Sequence, residues 1–429
     1  MFFWIVSQED KSISISKSNG SGRLSIFALG VKAYASLADR LRGDGLPDRL
    51  FLIIVQKLGH LERTWELCKA WLGAKRGDET KKDSLLAVYS LVDAGLTFDF
   101  VVFLARAEMQ RVRMGLNRTD VLVFAPKGFA VYQWQKRKVF CNMGGKPLLS
   151  ASHESILEYV RSLIRVGLIF PGISSLRVMD EGLPFFQDVL SSPHVFPGIG
   201  KWGGRFRSPT VYRQFLTEKY AYNGGKDPVP LPRRIDPWRS FGGKVGQDKI
   251  LVTVNLRNQI YTRNRNAELD SWSRFFNHPF IKEHFHCIIF NDAENPVTIQ
   301  PTAGMTFLDE YVRNNFRRSK LILKIGLHIG NVSGSSAVLM VSDTPYLYFG
   351  EGRHEDWKHC LEPGLFEAND RHILFDKKRP YQMISLKQDR MLQDFRKCLI
   401  SMHGDESLLE RYPARFREAL GERLKEWPA

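Results

Sequence analysis

The spacing of two apolar runs near residue 100 limits the fold more than any other feature of this chain. LLAVYSLV (85–92) and DVLVFAP (120–126) are short and apolar, which suits buried strands. Between them Phe100, Phe103, Leu104 and Ala107 recur at helical intervals, with Asp99 placed as an N-cap and Gly115 near the end. A strand, a crossover helix and a strand within about forty residues make a βαβ unit, and such a unit pairs its strands in parallel. The pattern continues into HESILEYVRSLI (153–164), where Ile156, Tyr159, Val160 and Leu163 form a helical stripe.

A second alternation begins after residue 248. KILVTVNLR (249–257) reads as a strand, DSWSRFFNHPFI (270–281) as a helix and HCIIFND (286–292) as a strand. TFLDEYVRNNFRR (306–318) reads as a helix, LILKIGLHIG as the next strand, SGSSAVLMVS as a helix and PYLYFG (345–350) as a strand. A length of 429 residues allows two or three domains. The fold class expected is therefore α/β, with two doubly wound Rossmann-like domains at 84–240 and 248–390. The stretch from about 193 to 248 is rich in Pro, Gly and basic residues, as an interdomain crossing or a loop over a cleft would be. Residues 1–23 read as a flexible lead-in, because 8–23 are polar and Gly/Ser-rich. Residues 24–80 read as a helical extension, with Phe51, Val55 and Leu58 before Gly59 and Leu61, Trp65, Cys68 and Leu72 after it. Residues 391–429 read as C-terminal helices carrying the stripe Met391, Phe395, Leu399.

The formal charge of +16 and the pI near 9.6 call for an anionic partner: a phosphorylated small molecule, a membrane surface or a nucleic acid. Five cysteines with no C-x-x-C spacing argue for reduced thiols and a cytoplasmic setting. The apolar MFFWIV lacks preceding basic residues and is too short for a signal peptide, and no apolar run reaches membrane-span length. The N-x-S/T sequons at Asn19, Asn117 and Asn331 then read as chance matches. His284, His286 and Cys287, and likewise His354, His359 and Cys360, lie close in sequence without the further partner a metal site needs; no metal or other cofactor is expected.

Two clusters carry candidate chemistry. NLRNQIYTRNRN places Arg257, Arg263 and Arg265 at the carboxyl end of the 249–257 strand, among Asn255, Asn258, Asn264 and Asn266. Guanidinium forks fit phosphate oxygens, and interspersed asparagines suit a hydrogen-bonding site better than a solvated basic loop. Further on, Ser333, Gly334, Ser335 and Ser336 precede an apolar helix, and their backbone N–H groups and hydroxyls would suit a pyrophosphate. The same residues also suit a plain turn with a serine cap. Glu351, after the next strand, reads either as an acceptor for ribose or sugar hydroxyls or as an exposed strand-end residue. No G-x-x-x-x-G-K-[ST], G-x-S-x-G or H-E-x-x-H motif is present.

The VTVNLRNQIYTRNRN segment and the small-residue turn followed by SDTPYLYFG resemble bacterial glycosyltransferases of the GT-B fold, the poorly characterised surface-polysaccharide members especially. These show a strand ending in arginine, a later Arg-Asn pair, and a Ser-Gly turn before a helix and a Pro-Tyr strand. LVDAGLTFDFVVFLARAEMQRVRMG is similar to their opening strand, loop and helix, so the likeness covers about residues 84–390. It implies a nucleotide-sugar donor and a glycan or lipid-linked acceptor, with 84–240 on the acceptor side and 248–390 on the donor side. Arg257 and Arg265 would neutralise the donor diphosphate, Ser333 to Ser336 would cradle it, and Asn266 would orient one of these groups. Enzymes of this fold usually stabilise the leaving group with cations rather than a metal, and the chain has no Asp-x-Asp pair. An inverting transfer needs a base on the acceptor hydroxyl; Asp93 and Asp99 flank the first loop, Asp99 doubling as a helix cap. Two other classes stay open: a nucleic-acid-binding protein, to which KWGGRFR (201–207) would contribute, and a nucleotide-sugar epimerase of the same fold. The positive charge would also suit a peripheral position on an anionic membrane face.

Overall fold

The computed structural model describes residues 2–7, 13–17, 81–90, 99–125, 161–180, 188–197, 249–258, 266–291, 296–312, 314–334, 337–350, 366–370 and 372–427. Helices and largely parallel strands alternate along them, which makes the chain a mixed α/β protein with two sheets.

The first sheet contains β1 (Phe2–Ser7), β2 (Ile13–Lys17), β3 (Ser84–Ser90), β4 (Arg118–Ala125), β5 (Ile173–Asp180) and β6 (Val195–Phe196), in the order β2-β1-β5-β4-β3-β6. Strands β3 to β6 run parallel, and β1 and β2 extend the β5 edge antiparallel. The crossover helix α1 (Asp99–Arg113) has Phe100, Phe103, Leu104 and Ala107 fully buried, with Tyr89 of β3 edge-on to both phenylalanines. Where the polar 8–23 segment reads as a flexible lead-in, Ile13–Lys17 is a strand; its Ile/Ser alternation has the period of a strand. Residues 24–80 lie outside the described residues, and so does most of the 193–248 crossing.

The second sheet contains β7 (Ile250–Asn255), β8 (Phe285–Phe290), β9 (Met305–Phe307), β10 (His328–Asn331), β11 (Tyr346–Phe349), β12 (Phe366–Asp370), β13 (Ile373–Asp376) and β14 (Arg379–Ser385). Its order is β12-β13-β14-β11-β10-β7-β8-β9. Six of these strands run parallel, and β12 and β13 form an antiparallel edge. Counted along the chain, the parallel six are arranged 3-2-1-4-5-6, so the strand order reverses between β7 and β10. Both faces of this sheet are covered. Leu251 and Ile288 face one buried cluster, and Ile250, Val252, Val254 and Ile289 face the other, which explains a β7 that is buried at all six positions.

The helices depart from the sequence reading in three places. The 270–281 helix is split into α2 (Leu269–Asn277) and α3 (Pro279–His284), because Pro279 cannot donate the hydrogen bond that would continue it and opens a new helix instead. The 306–318 segment gives β9, a single turn α4 (Asp309–Val312) and then α5 (Asn315–Ile325). Hence LILKI, which reads as a strand, is the end of α5. Asn314 caps that helix by accepting from Arg317 N at 3.0 Å, and Gly326 ends it at φ 75°. A short apolar run fits either element by pattern alone, and here the caps decide.

The SGSSAVLMVS helix is only the single turn α6 (Ala337–Met340). Met391, Phe395 and Leu399 are buried in α7 (Met391–His403) as expected, and α8 (Glu406–Leu409) and α9 (Ala414–Glu426) complete the chain. The two sheets meet through helices: α1 packs on α6, and Asn315 of α5 donates from both N and Nδ2 to Ser162 Oγ, at 3.2 and 3.3 Å. One buried cluster accordingly runs from Leu85 to Ile384. Among the described residues no helix is long and apolar enough to cross a membrane.

Candidate functional site

The carboxyl ends of β7 and β10 meet where the strand order of the second sheet reverses. Open α/β sheets bind ligands in the crevice at such a point, because the connections leave the two strands in opposite directions and part there. The NLRN and SGSS stretches are 75 or more residues apart in sequence, yet this topology makes them neighbours. Asn255, the last residue of β7, donates from Nδ2 to Ser333 Oγ at 3.0 Å. Arg257 donates from Nη1 to Val332 O, also at 3.0 Å. Asn255 and Arg257 are 4% and 9% exposed, so the cation is held at the rim of the sheet rather than carried on a free loop.

Gly330 allows this approach. It lies opposite Asn255 in the β7–β10 register, and a Cβ there would stand 2.7 Å from Asn255 O and 3.0 Å from its N and Cβ. The strand ends are fixed further by Leu256 N to Phe290 O and Val332 N to Phe349 O, both 3.0 Å. The chain leaves at Asn258 and returns at Asn266, and Ala267 N closes the excursion on Arg257 O at 2.7 Å.

Of the residues singled out in the sequence, the structure therefore brings Asn255, Arg257 and Ser333 together, with Gly334 exposed beside them and Asn266 at the returning strand of chain. Arg263, Arg265, Ser335, Ser336, Glu351 and Asp93 lie outside the described residues. Asp99 is the first residue of α1, and the segment that holds Asp93 joins it to the carboxyl end of β3. The strand order of the first sheet also reverses there, since β3 lies between β4 and β6. A one-turn α6 carries little macrodipole, so any anion at Ser333 and Gly334 would rely on local N–H groups, the hydroxyl and Arg257.

No family model matches the chain, and no curated protein sequence does. Among solved structures it is similar to the dodecameric iron-containing heptosyltransferase TibC in complex with ADP-D-β-D-heptose, at 13% identity and a TM-score of 0.32, over 64% of this chain and 59% of that one. The chain thus spans less than two thirds of that protein's length. It is also similar to the E. coli heptosyltransferase WaaC with ADP-2-deoxy-2-fluoro heptose, at 12% identity and a TM-score of 0.30, over 73% and 98%. A glycosyl transferase family 9 protein from Veillonella parvula DSM 2008 gives 10% and 0.30, over 64% and 82%. At such distances no residue role passes from those proteins to this one.

Two residues at the site have no signal in the sequence pattern. Asn331, at the end of β10, is fully buried, which also removes it as a glycan acceptor in the folded protein. Its Nδ2 donates to Oε1 of Gln388 at 3.4 Å, and Gln388 comes from the turn after β14. Only the sheet order brings them together. The residues of the 284–287 run have separate surroundings. His284 ends α3 against Phe280 and near Glu426, His286 is paired with Thr306 Oγ1 at 2.9 Å, and Cys287 sits in the core with its thiol pushed up to about 12 by burial. No group of three metal-ligating side chains converges among the described residues.

Proposed function

We propose that this chain is a glycosyltransferase that takes a sugar from a nucleoside-diphosphate donor and passes it to a glycan or lipid-linked acceptor. What carries the reading is that two hydrogen bonds, from Asn255 to Ser333 and from Arg257 to Val332 O, bring these residues together at the strand-order reversal of the second sheet. A buried arginine beside a small-residue turn is suited to an anion whose charge grows as a bond breaks, which is the condition of a departing nucleoside diphosphate. Arg257 neutralises that charge, Ser333 and Gly334 bind its oxygens, and Arg263, Arg265, Asn266, Ser335 and Ser336 complete the cradle. Asn255 and Glu351 contact the nucleotide or the sugar.

In this reading the donor side is 248–390 and the acceptor side 84–240, in the manner of GT-B enzymes. The transfer is metal-independent and inverting, with Asp93, or else Asp99, taking the proton from the acceptor hydroxyl. The surplus positive charge would hold the enzyme at an anionic membrane on the cytoplasmic side, where a lipid-linked acceptor of surface-polysaccharide synthesis would lie.

Thermal melts of the wild type and Arg257→Ala against UDP, ADP, GDP, CDP and their sugar conjugates test this. A ligand at ~100 times its Kd adds about 2.7 kcal/mol to stability, and the arginine variant should lose roughly a hundredfold in affinity, enough to erase the shift. Stabilisation by RNA or DNA but by no nucleotide would instead favour the nucleic-acid reading. A nucleotide shift that survives in Arg257→Ala would remove the site.

A further inference from the structure

Gln388 stands behind the donor cluster and touches both of its halves. It is 8% exposed, and its amide is used at both ends. Nε2 donates to Asn266 O at 2.8 Å, while Oε1 accepts from Glu268 N at 2.9 Å and from Asn331 Nδ2 at 3.4 Å. The first two partners flank Ala267, whose N–H is bonded to Arg257 O. The third directly precedes Val332, which receives the Arg257 guanidinium, and Ser333. One planar group therefore ties the backbone that carries Arg257 to the strand end that carries Ser333.

The turn that presents Gln388 is itself fixed. Ser385 Oγ lies 2.7 Å from Asp394 Oδ2 and 2.9 Å from Lys387 O, and Met391 N donates to Gln388 O at 3.3 Å. Asp394 is fully buried at the start of α7. A side chain held this firmly, with its donor and its oxygen both bonded to the 266–268 segment and the oxygen shared with Asn331, sets a distance rather than filling space.

We propose that Gln388 is a positioning residue for diphosphate binding, holding the backbone that carries Arg257 and the strand end that carries Ser333 in a fixed relation to each other. This rests on the donor-site reading above. An amide is required because the position must donate to one carbonyl and accept from an N–H. Leucine does neither, and an ionised glutamate sets an oxygen against Asn266 O. A protonated glutamate restores the donor. Burial and the facing carbonyl raise a carboxyl pKa above its ordinary ~4.3, so the repair should come within reach on mild acidification.

The experiment is calorimetric titration of the folded wild type, Arg257→Ala, Gln388→Leu and Gln388→Glu with UDP, ADP, GDP and CDP at pH 8 and pH 6, each variant expressed as a ratio to the wild type at the same pH. Gln388→Leu is expected to bind about tenfold more weakly at both pH values; Gln388→Glu should be about tenfold weaker at pH 8 and within about threefold at pH 6. If Gln388→Leu does not fold, the isosteric glutamate variant carries the test. Wild-type affinity in both Gln388 variants, with binding lost in Arg257→Ala, overturns the positioning role and leaves the donor site standing. An affinity loss at pH 8 in Gln388→Glu with none in Gln388→Leu overturns it too, because a buried charge rather than the missing donor is then the cause. If the wild type binds none of the four, or Arg257→Ala binds as well as the wild type, the donor site falls and this inference with it.

Discussion

Lowering the pH from 7.5 to 5 is expected to cost this protein about 2 kcal/mol of stability through His328 alone. The residue is 2% exposed in β10, with Nδ1 2.8 Å from Thr253 Oγ1 and its ring edge-on to Tyr348. Thr253 already donates its hydroxyl to Leu327 O at 3.0 Å, so it accepts from Nδ1–H and fixes the neutral tautomer. Burial first, and the nearby Arg318 second, push the imidazole down to about 3. The unfolded chain binds this proton near 6.5, whereas the folded chain refuses it until about 3. The contribution is therefore fully present above the unfolded value and is lost as pH falls through that window. His286 and His284 are lowered as well, chiefly by burial, and act in the same direction. Denaturant midpoints at the two pH values, for the wild type and His328→Gln, measure the effect. The wild type should lose stability steeply and the variant distinctly less. An equal acid loss in both would place the sensitivity elsewhere.

What could be read from the sequence was what neighbours in sequence decide. The β3–α1–β4 unit was legible because its strands flank their own crossover helix, and Phe100, Phe103, Leu104 and Ala107 are as buried as their spacing implied. LILKI was misread because the same apolar run suits either element, and the deciding groups are Asn314 and Gly326 at its ends. The split at Pro279 was legible in principle, since proline marks a helix start as readily as a helix break. The clusters at Arg257 and Ser333 were visible as residue types, but their contact was not. That contact depends on β10 pairing with β7 rather than with β9, the strand before it in sequence. Gln388 was invisible for the same reason, because its partners are 57 to 122 residues away.

Gly330→Ala is expected to destabilise the protein by roughly 3 kcal/mol and to abolish its response to nucleotides in the fraction that stays folded. The new methyl would meet main-chain atoms of Asn255, with 2.7 Å to its carbonyl oxygen, and a backbone in the middle of a sheet cannot turn aside as a side-chain tip can. Neither strand has room to retreat: β7 is hydrogen-bonded to β8 on its other side, β10 is held by β11, and both sheet faces are packed. The strain must then spread toward the nearest end, where Asn255 reaches Ser333 and Arg257 reaches Val332 O. Melting temperature and nucleotide titration on the same preparation separate the two effects. A variant that melts as the wild type does would mean that the strands part easily there. One that is destabilised but binds nucleotides normally would mean that the diphosphate does not depend on the β7–β10 junction, and the ligand would have to be sought away from the strand-order reversal.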